Sequence, residues 1–600
     1  MSSSSSTVAS TTITMPQLGR TPPTLSYFCV YNPSLAQSEE NTKDQILYYT
    51  AKKVVPADVK MKQVGLAQAL VNFSSAFSPS HPAQNVHSQK NRLVFYQPEP
   101  GFWLHMCIEL GVLRKQVKDN KGKEKLVTEY LDSQLNDRAI ESVLKLGYEQ
   151  FKLLNGMMTS ILDILDRRVL MHRIEEFFSE WIWQWDFDRL DQMIFSGVFN
   201  GVPTIRYKDD TKRLKILDQS LQEEYGVAHV MILDEKRDLV YRSNTLSMVD
   251  VRALRRYVCQ MQENHQGATE QDKPTSSSSA SSVKKDKFSG FKSFTRTLSN
   301  THILDYFSSS SNTKDKKTDD SSGTEEEGID EEQQQEQEQN QQSDASSSEE
   351  QLAESVHGEF HEIVRLYLSS RSELAMEEQE LLEEYLLVLY KHKSNLIWSF
   401  LIPSFADGAD EFISSPTALT ELENHLTNHN LDTIATSLKE DKDTKQDKGL
   451  SLGKHFRCFY YDNATLNMRS TLLEQRKDSF TISNDMFLQL LDLKNDFETL
   501  PNTTEVYTRS TGNYWIAGQR VYNKHGRKQE RRRSQTNGDA TSDHQEPPTE
   551  DEEDEIVTER KRSPDDYTEM YLVAAKKDTS LADVEETIRK MSVSLVDLCM

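Results

Sequence analysis

No run of eighteen apolar residues occurs anywhere in the chain, and Met1 to Thr14 holds neither a basic nor an apolar segment. Neither a membrane-spanning nor an exported protein is expected, so the sequons at Asn72, Asn463 and Asn502 read as chance. Cysteine is scarce: the five present (Cys29, Cys107, Cys259, Cys458, Cys599) form no CxxC and no repeated spacing, which excludes a disulfide framework and a zinc ribbon. The phosphate-cradling pattern GxxxxGK[ST] is missing too; GLSLGKH at Gly449 to His455 only echoes it. No HExxH, GxSxG or glycine-rich dinucleotide loop is present, although HEIVR at His361 comes close to the first. Neither an enzyme with its own catalytic residues nor a bound cofactor or metal is expected.

Positive charge is also in deficit. The formal net charge is −25 and the pI about 5.1, which argues against a primary role in nucleic-acid binding. The acidity is concentrated. Lys314 to Glu354 carries 15 acids against 3 lysines, and Glu550 to Glu559 carries seven acids and no base. Residues 264–352, Ser-rich, acidic and Gln-rich, and residues 523–563 are too polar to offset the entropy of ordering. Both read as disordered insertions, and residues 1–22 as a disordered tail.

What remains is rich in short β-forming runs followed by helical stripes, and the arrangement recurs. In the first block, LSYFCVYNP (Leu25 to Pro33) and ILYYTA (Ile46 to Ala51) precede a helix over Asp58 to Phe77. RLVFYQP and FWLHMCIEL follow as a hairpin with its turn at Pro98, Pro100 and Gly101, then helices from about Ser133 to Arg189. A second block runs from VAHVMIL and LVYRS to a helix at Met248 to Met261. After the long insertion it resumes with YLLVLYK, LIWSFLI and a helix around Ala418 to Leu438. FRCFYYD, EVYTRS, YWIAGQRVY, MYLVAAK and a closing helix from Leu581 form the third. The expected fold class is α/β, with three small sheets each buried by its own helices. The expected boundaries are 23–200, then 205–263 with 380–440, then 450–600, with 353–379 as a linker or helical segment.

Three features could carry function. On the first helix, Leu66, Leu70, Phe73 and Phe77 make a stripe expected to be core; Val64, Ala67 and Val71 make a second line about 120° away, covered either by the domain's own C-terminal helices or by a partner. Trp181 and Trp185 share the core stripe of a later helix, whereas Trp183 lies off it and is the interface candidate. Within the long insertion, residues 283–307 place Phe288, Phe291, Phe294 and Leu298 on one helical face with Lys285, Lys292 and Arg296 beside it. That pattern suits a membrane-surface helix, a motif read by another protein or a segment that docks back on the fold. The run Lys524 to Arg533 has six cations and no interleaved apolar residue, and reads as a solvated loop, with contact to phosphoinositide headgroups as the alternative.

The segments LSYFCVYNP, ILYYTA, FWLHMCIELGV, HFRCFYYDNATLNMRSTL, YWIAGQRV and MYLVAAKKDTSLADVEETIRKM, taken in order, resemble the Ccz vacuolar-fusion family, whose members carry three longin domains. The resemblance spans roughly 24–262, 380–522 and 567–600. It implies a non-enzymatic subunit that pairs with a Mon-family longin protein as exchange factor for a late-endosomal and vacuolar Rab GTPase of the Rab-seven type. Endosome maturation, vacuole or lysosome fusion and autophagosome delivery would follow, with a cytosolic protein recruited to those membranes. A longin-domain adaptor or tether without exchange activity is the alternative. In the family the exchange surface comes from the first longin domains of both partners, here residues 24–200. Helix geometry, not a family motif, nominates Val64, Gln68 and Val71 as its contacts.

Overall fold

The computed structural model describes residues 17–271, 358–437 and 454–599, apart from 37–38, 80–82, 119–123, 206–210, 362, 370–380, 407–415, 430–432, 435, 475–479, 501, 511, 523–565 and 576–578. The candidate helix at 283–307 and the basic run Lys524 to Arg533 lie outside the described residues.

The described residues begin with a strand inside the segment expected to be a disordered tail: β1 (Gln17–Thr21). It is too short to stand out in sequence, and is held by pairing with a distant partner. After β2 (Thr24–Tyr31), β3 (Ile46–Ala51), α1 (Ala57–Phe77), β4 (Asn85–His87), β5 (Asn91–Glu99) and β6 (Phe102–Glu109) come β7 (Val112–Lys118) and β8 (Glu124–Tyr130). β1 pairs with β7 in a small sheet β1-β7-β8, and the main antiparallel sheet runs β3-β2-β6-β5-β4. Strand alternation divides that sheet into two faces. Phe28, Val30, Val94, Leu104 and Met106 meet α2 (Asp137–Asn155) and α4 (Arg167–Trp181), while Cys29, Tyr31 and Phe95 meet α1. Between the two helices, α3 (Met158–Ile164) has its first amides capped by the buried carboxylate of Glu99, which also accepts the Tyr148 hydroxyl at 2.6 Å.

The second block begins with α6 (Thr211–Tyr225), before the strands β10 (His229–Leu233) and β11 (Leu239–Arg242) and the helix α7 (Met248–Gln271). The segment expected to be a linker or helix holds two strands instead, β12 (Gly358–Phe360) and β13 (Val364–Ser369), both paired with β14 (Leu382–His392). In β13 the alternation of buried Val364, Leu366 and Leu368 with Arg365, Tyr367 and Ser369 is a strand pattern, and six ladder partners on β14 fix it. The sheet β11-β10-β15-β14-β12 is completed by β15 (Ile397–Pro403). It is covered on one face by α6 and α8 (Pro416–Asn428) and on the other by α7. Ser220 and Glu224 of α6 clasp α8 through His425: the ring Nε2 lies 2.6 Å from Ser220 Oγ and Nδ1 lies 3.2 Å from the Glu224 carboxylate.

β16 (Phe456–Asp462), β17 (Asn467–Ser470), β18 (Glu505–Arg509), β19 (Trp515–Tyr522) and β20 (Tyr567–Ala574) form the third sheet with α9 (Asn484–Thr499) and α10 (Leu581–Cys599). Its order is β18-β19-β20-β16-β17-β9, and the last strand comes from the far side of the chain. β9 is only Val202–Pro203, in the connector after the first block, and runs parallel to β17. The next residue bridges to Leu239 on β11, with the Ile205 amide donating to the Leu239 carbonyl at 2.9 Å. Four residues, Val202 to Ile205, thus stitch the second and third sheets together.

The first block is fused to the third as well. α5 (Leu190–Phe199) sends Phe195 onto Phe487 and Phe199 onto Phe459 and Tyr571, with ring centroids 4.4–5.2 Å apart. Across the first and second blocks, Glu149 of α2 binds Arg252 (2.6 Å) and Arg256 (3.1 Å) of α7. Burial opposes its charge, but the two guanidiniums beside it hold the Glu149 carboxyl below the usual range.

Candidate partner-binding surface

α1 is apolar on two sides, and the structure turns the expected side outward. Val64, Ala67 and Val71 are the residues that pack on the sheet, against Cys29, Tyr31 and Phe95. Leu66, Phe73 and Phe77 are 53%, 67% and 76% exposed, with Leu70 half-buried between them. The two faces have therefore exchanged roles, and Val64 and Val71 cannot be partner contacts. Steric fit gives the reason. The sheet face beneath α1 already carries Tyr31, Phe95 and Trp103, so only small or β-branched helix residues let the backbone approach. Gln68, the third nominated contact, is half-buried, and its amide donates to Gln45 Oε1 at 2.5 Å, tying α1 to the start of β3.

The outward face is continuous. The rings of Phe73 and Phe77 lie 4.9 Å apart, and Gly65, Ala69 and Ala76 beside them are also exposed, which leaves room for another element to come close. A single exposed leucine would mean nothing, but one leucine and two phenylalanines on successive turns of one helix form a patch of the kind that marks an interaction site. The same domain has a second open feature: β3 is the terminal strand of its sheet, with no strand on its outer edge among the described residues.

Of the tryptophans, Trp181 is buried, stacks on Phe177 at 5.7 Å and donates to the Val143 carbonyl, while Trp185 leans on it half-buried. Trp183 is 41% exposed, and its indole N–H donates to Thr50 Oγ1 on β3 at 3.2 Å. It stands at the far end of the same edge strand.

Under α1 the one histidine is locked in a neutral form. The Val94 carbonyl can only accept, so His105 Nδ1 carries the proton and Nε2 accepts the Tyr27 hydroxyl at 2.9 Å. Burial pulls its pKa down to about 4. Among the described residues no group of three or more His, Cys, Asp or Glu side chains could hold a metal ion, and no helix is long and apolar enough to cross a membrane.

Residues 25–156, the sheet with α1 and α2, match the family model described as the first longin domain of INTU, CCZ1 and HPS4. Vacuolar fusion protein CCZ1 homologs from Xenopus laevis and Nematostella vectensis are each 34% identical, over 177 and 180 residues. Over this segment the chain is similar to CCZ1 proteins. A CCZ1 homolog from Dictyostelium discoideum is 27% identical over 169 residues. These matches cover 28–30% of this chain and 36–38% of the relatives, so the chain spans little more than a third of the length of the curated relatives it matches. The fold is that of a longin protein: the matched domain has its helices on both faces of an antiparallel sheet, and the second and third blocks repeat that plan.

Proposed function

We propose that this chain is the non-catalytic subunit of a heterodimeric exchange factor for a late-endosomal and vacuolar Rab GTPase of the Rab-seven type, acting in vacuole fusion, endosome maturation and autophagosome delivery. The exposed face of α1 carries this reading: Leu66, Phe73 and Phe77 stand uncovered in the domain matched to the first longin domain of CCZ1, whose sheet also leaves the edge of β3 unpaired among the described residues. The occupant is a second longin-type domain, from a Mon-family protein. Sheets of this kind already meet edge to edge within the chain, where β9 joins the second to the third. The name of the relatives, vacuolar fusion protein, supports the cellular role.

Exchange needs no catalytic side chain. A GTPase that binds nucleotide at nM to pM, about −12 to −16 kcal/mol, releases it when a partner surface favours the emptied state by a comparable amount. Two longin domains side by side offer such a broad surface. The complex works from the cytosol and is recruited to the membranes it matures.

Leu66→Asp with Phe73→Asp is expected to weaken capture of the longin partner by about 2–4 kcal/mol, with the thermal transition of the isolated chain unchanged because both side chains are exposed. Mant-nucleotide release from a Rab-seven-type GTPase should accelerate with the wild-type pair and stay at the intrinsic rate with the variant pair. No acceleration by the wild-type pair would leave a longin adaptor or tether and remove the exchange reading.

A further inference from the structure

The turn between β3 and α1 combines three features that solvation alone does not explain. Lys52, Lys53, Lys60 and Lys62 lie within eleven residues that contain one acid, Asp58, in a chain whose net charge is −25. Asp58 is taken up by Lys62 at 3.7 Å. Between the lysine pairs Val54 is 103% exposed, with no neighbour covering it, and Val59 on the first turn of α1 is exposed too. The indole of Trp183 is moored to Thr50, two residues before Lys52, so an aromatic ring with a polar edge stands beside the same corner. Lys60 lies over the Tyr49 ring at 4.8 Å, which holds its stem along β3. Glu175 of α4 acts on Tyr48, whose ring packs on Phe28 on the opposite face of β3 from Tyr49.

We infer that this corner docks on an anionic lipid surface. Lysines around a small apolar tip match the two-layered chemistry of a bilayer interface: ammonium groups meet lipid phosphates, while the valine enters the acyl boundary and tryptophan settles at the headgroup level. An acidic protein segment would engage the lysines but has no use for a valine bared between them. The inference does not depend on exchange activity or on the α1 face. It lies in a different segment from residues 283–307, so the two can be separated by mutation.

The test uses the full chain carrying Phe291→Asp and Phe294→Asp, so that the insertion cannot supply binding, and vesicles of phosphatidylcholine with or without phosphatidylserine. Co-sedimentation is expected with the anionic vesicles only, and to fade as salt is raised. Lys52→Glu with Lys53→Glu should lower it roughly tenfold or more. Val54→Ser, with every charge kept, should lower it several-fold. Lys52, Lys53 and Val54 are all exposed, and an unchanged thermal transition confirms that their variants fold. Equal sedimentation of the charge variant and its parent overturns the inference, as does equal binding to neutral vesicles. Capture of an acidic peptide such as polyglutamate without vesicle binding overturns it in favour of a protein ligand.

Discussion

Glu569→Ala is expected to destabilise the third domain by about 3–5 kcal/mol, seen as an early transition in chemical or thermal unfolding. Glu569 has no solvent exposure, and its carboxylate accepts from Lys494 Nζ (3.0 Å), Arg520 Nε (2.9 Å) and the Tyr571 hydroxyl (3.0 Å). Burial opposes the charge on Lys494, yet Glu569 and Glu498 beside it lift the ammonium above its usual range. Removing the carboxylate leaves one ammonium and one guanidinium buried with half their partners. Glu498 still holds Lys494 at 3.0 Å and the Phe497 carbonyl still holds Arg520 at 2.6 Å, which keeps the loss from being larger. Glu569→Met combined with Lys494→Met and Arg520→Leu should recover most of the stability, because no charge is then left unpaired. If the single variant unfolds like the wild type, the triad contributes nothing and the packing around it carries the domain.

Asp191→Asn is expected to act in the opposite direction, and only at higher pH. Asp191 is buried in the seam between α5 and α9, and one carboxylate oxygen has no hydrogen-bond partner among the described residues. Burial, with the carboxylate of Asp492 across the seam adding to it, pushes its pKa up to about 7. A carboxyl whose folded pKa lies above its unfolded one contributes stability that is complete below the unfolded pKa, about 4, and is lost as the pH rises through about 7. Asparagine keeps the shape and carries no charge at any pH. Its advantage over the wild type should therefore grow by about 2 kcal/mol between pH 5.5 and pH 8.5. Parallel pH profiles for the two proteins would show that the seam holds no such proton.

The strands were legible because aromatic and β-branched residues cluster in them: LSYFCVY, FWLHMCIE and MYLVA are all found where those patterns put them. β13 was not, although VRLYLS alternates cleanly, because it adjoins the acidic, helix-favouring run RSELAMEEQELLEE. β1 offered only five residues, QLGRT, whose pairing with β7 lies more than ninety positions away in sequence and leaves no local trace. The face of α1 was misjudged for a different reason. Periodicity finds an apolar stripe, but when two stripes share a helix it does not say which one faces inward. The deciding signal lay in other elements, in the bulk of Tyr31, Phe95 and Trp103 on the opposing strands. That correction moved the candidate surface from Val64 and Val71 to Leu66, Phe73 and Phe77 on the same helix.

The stitch at Val202 to Ile205 ties the second and third longin-type units into one object. A fragment beginning after this connector would lose the closing strand of its third sheet and the hydrogen bond that caps its second, baring two backbone edges at once to any passing chain. The second and third units could not be exchanged independently without rebuilding the four residues that join them.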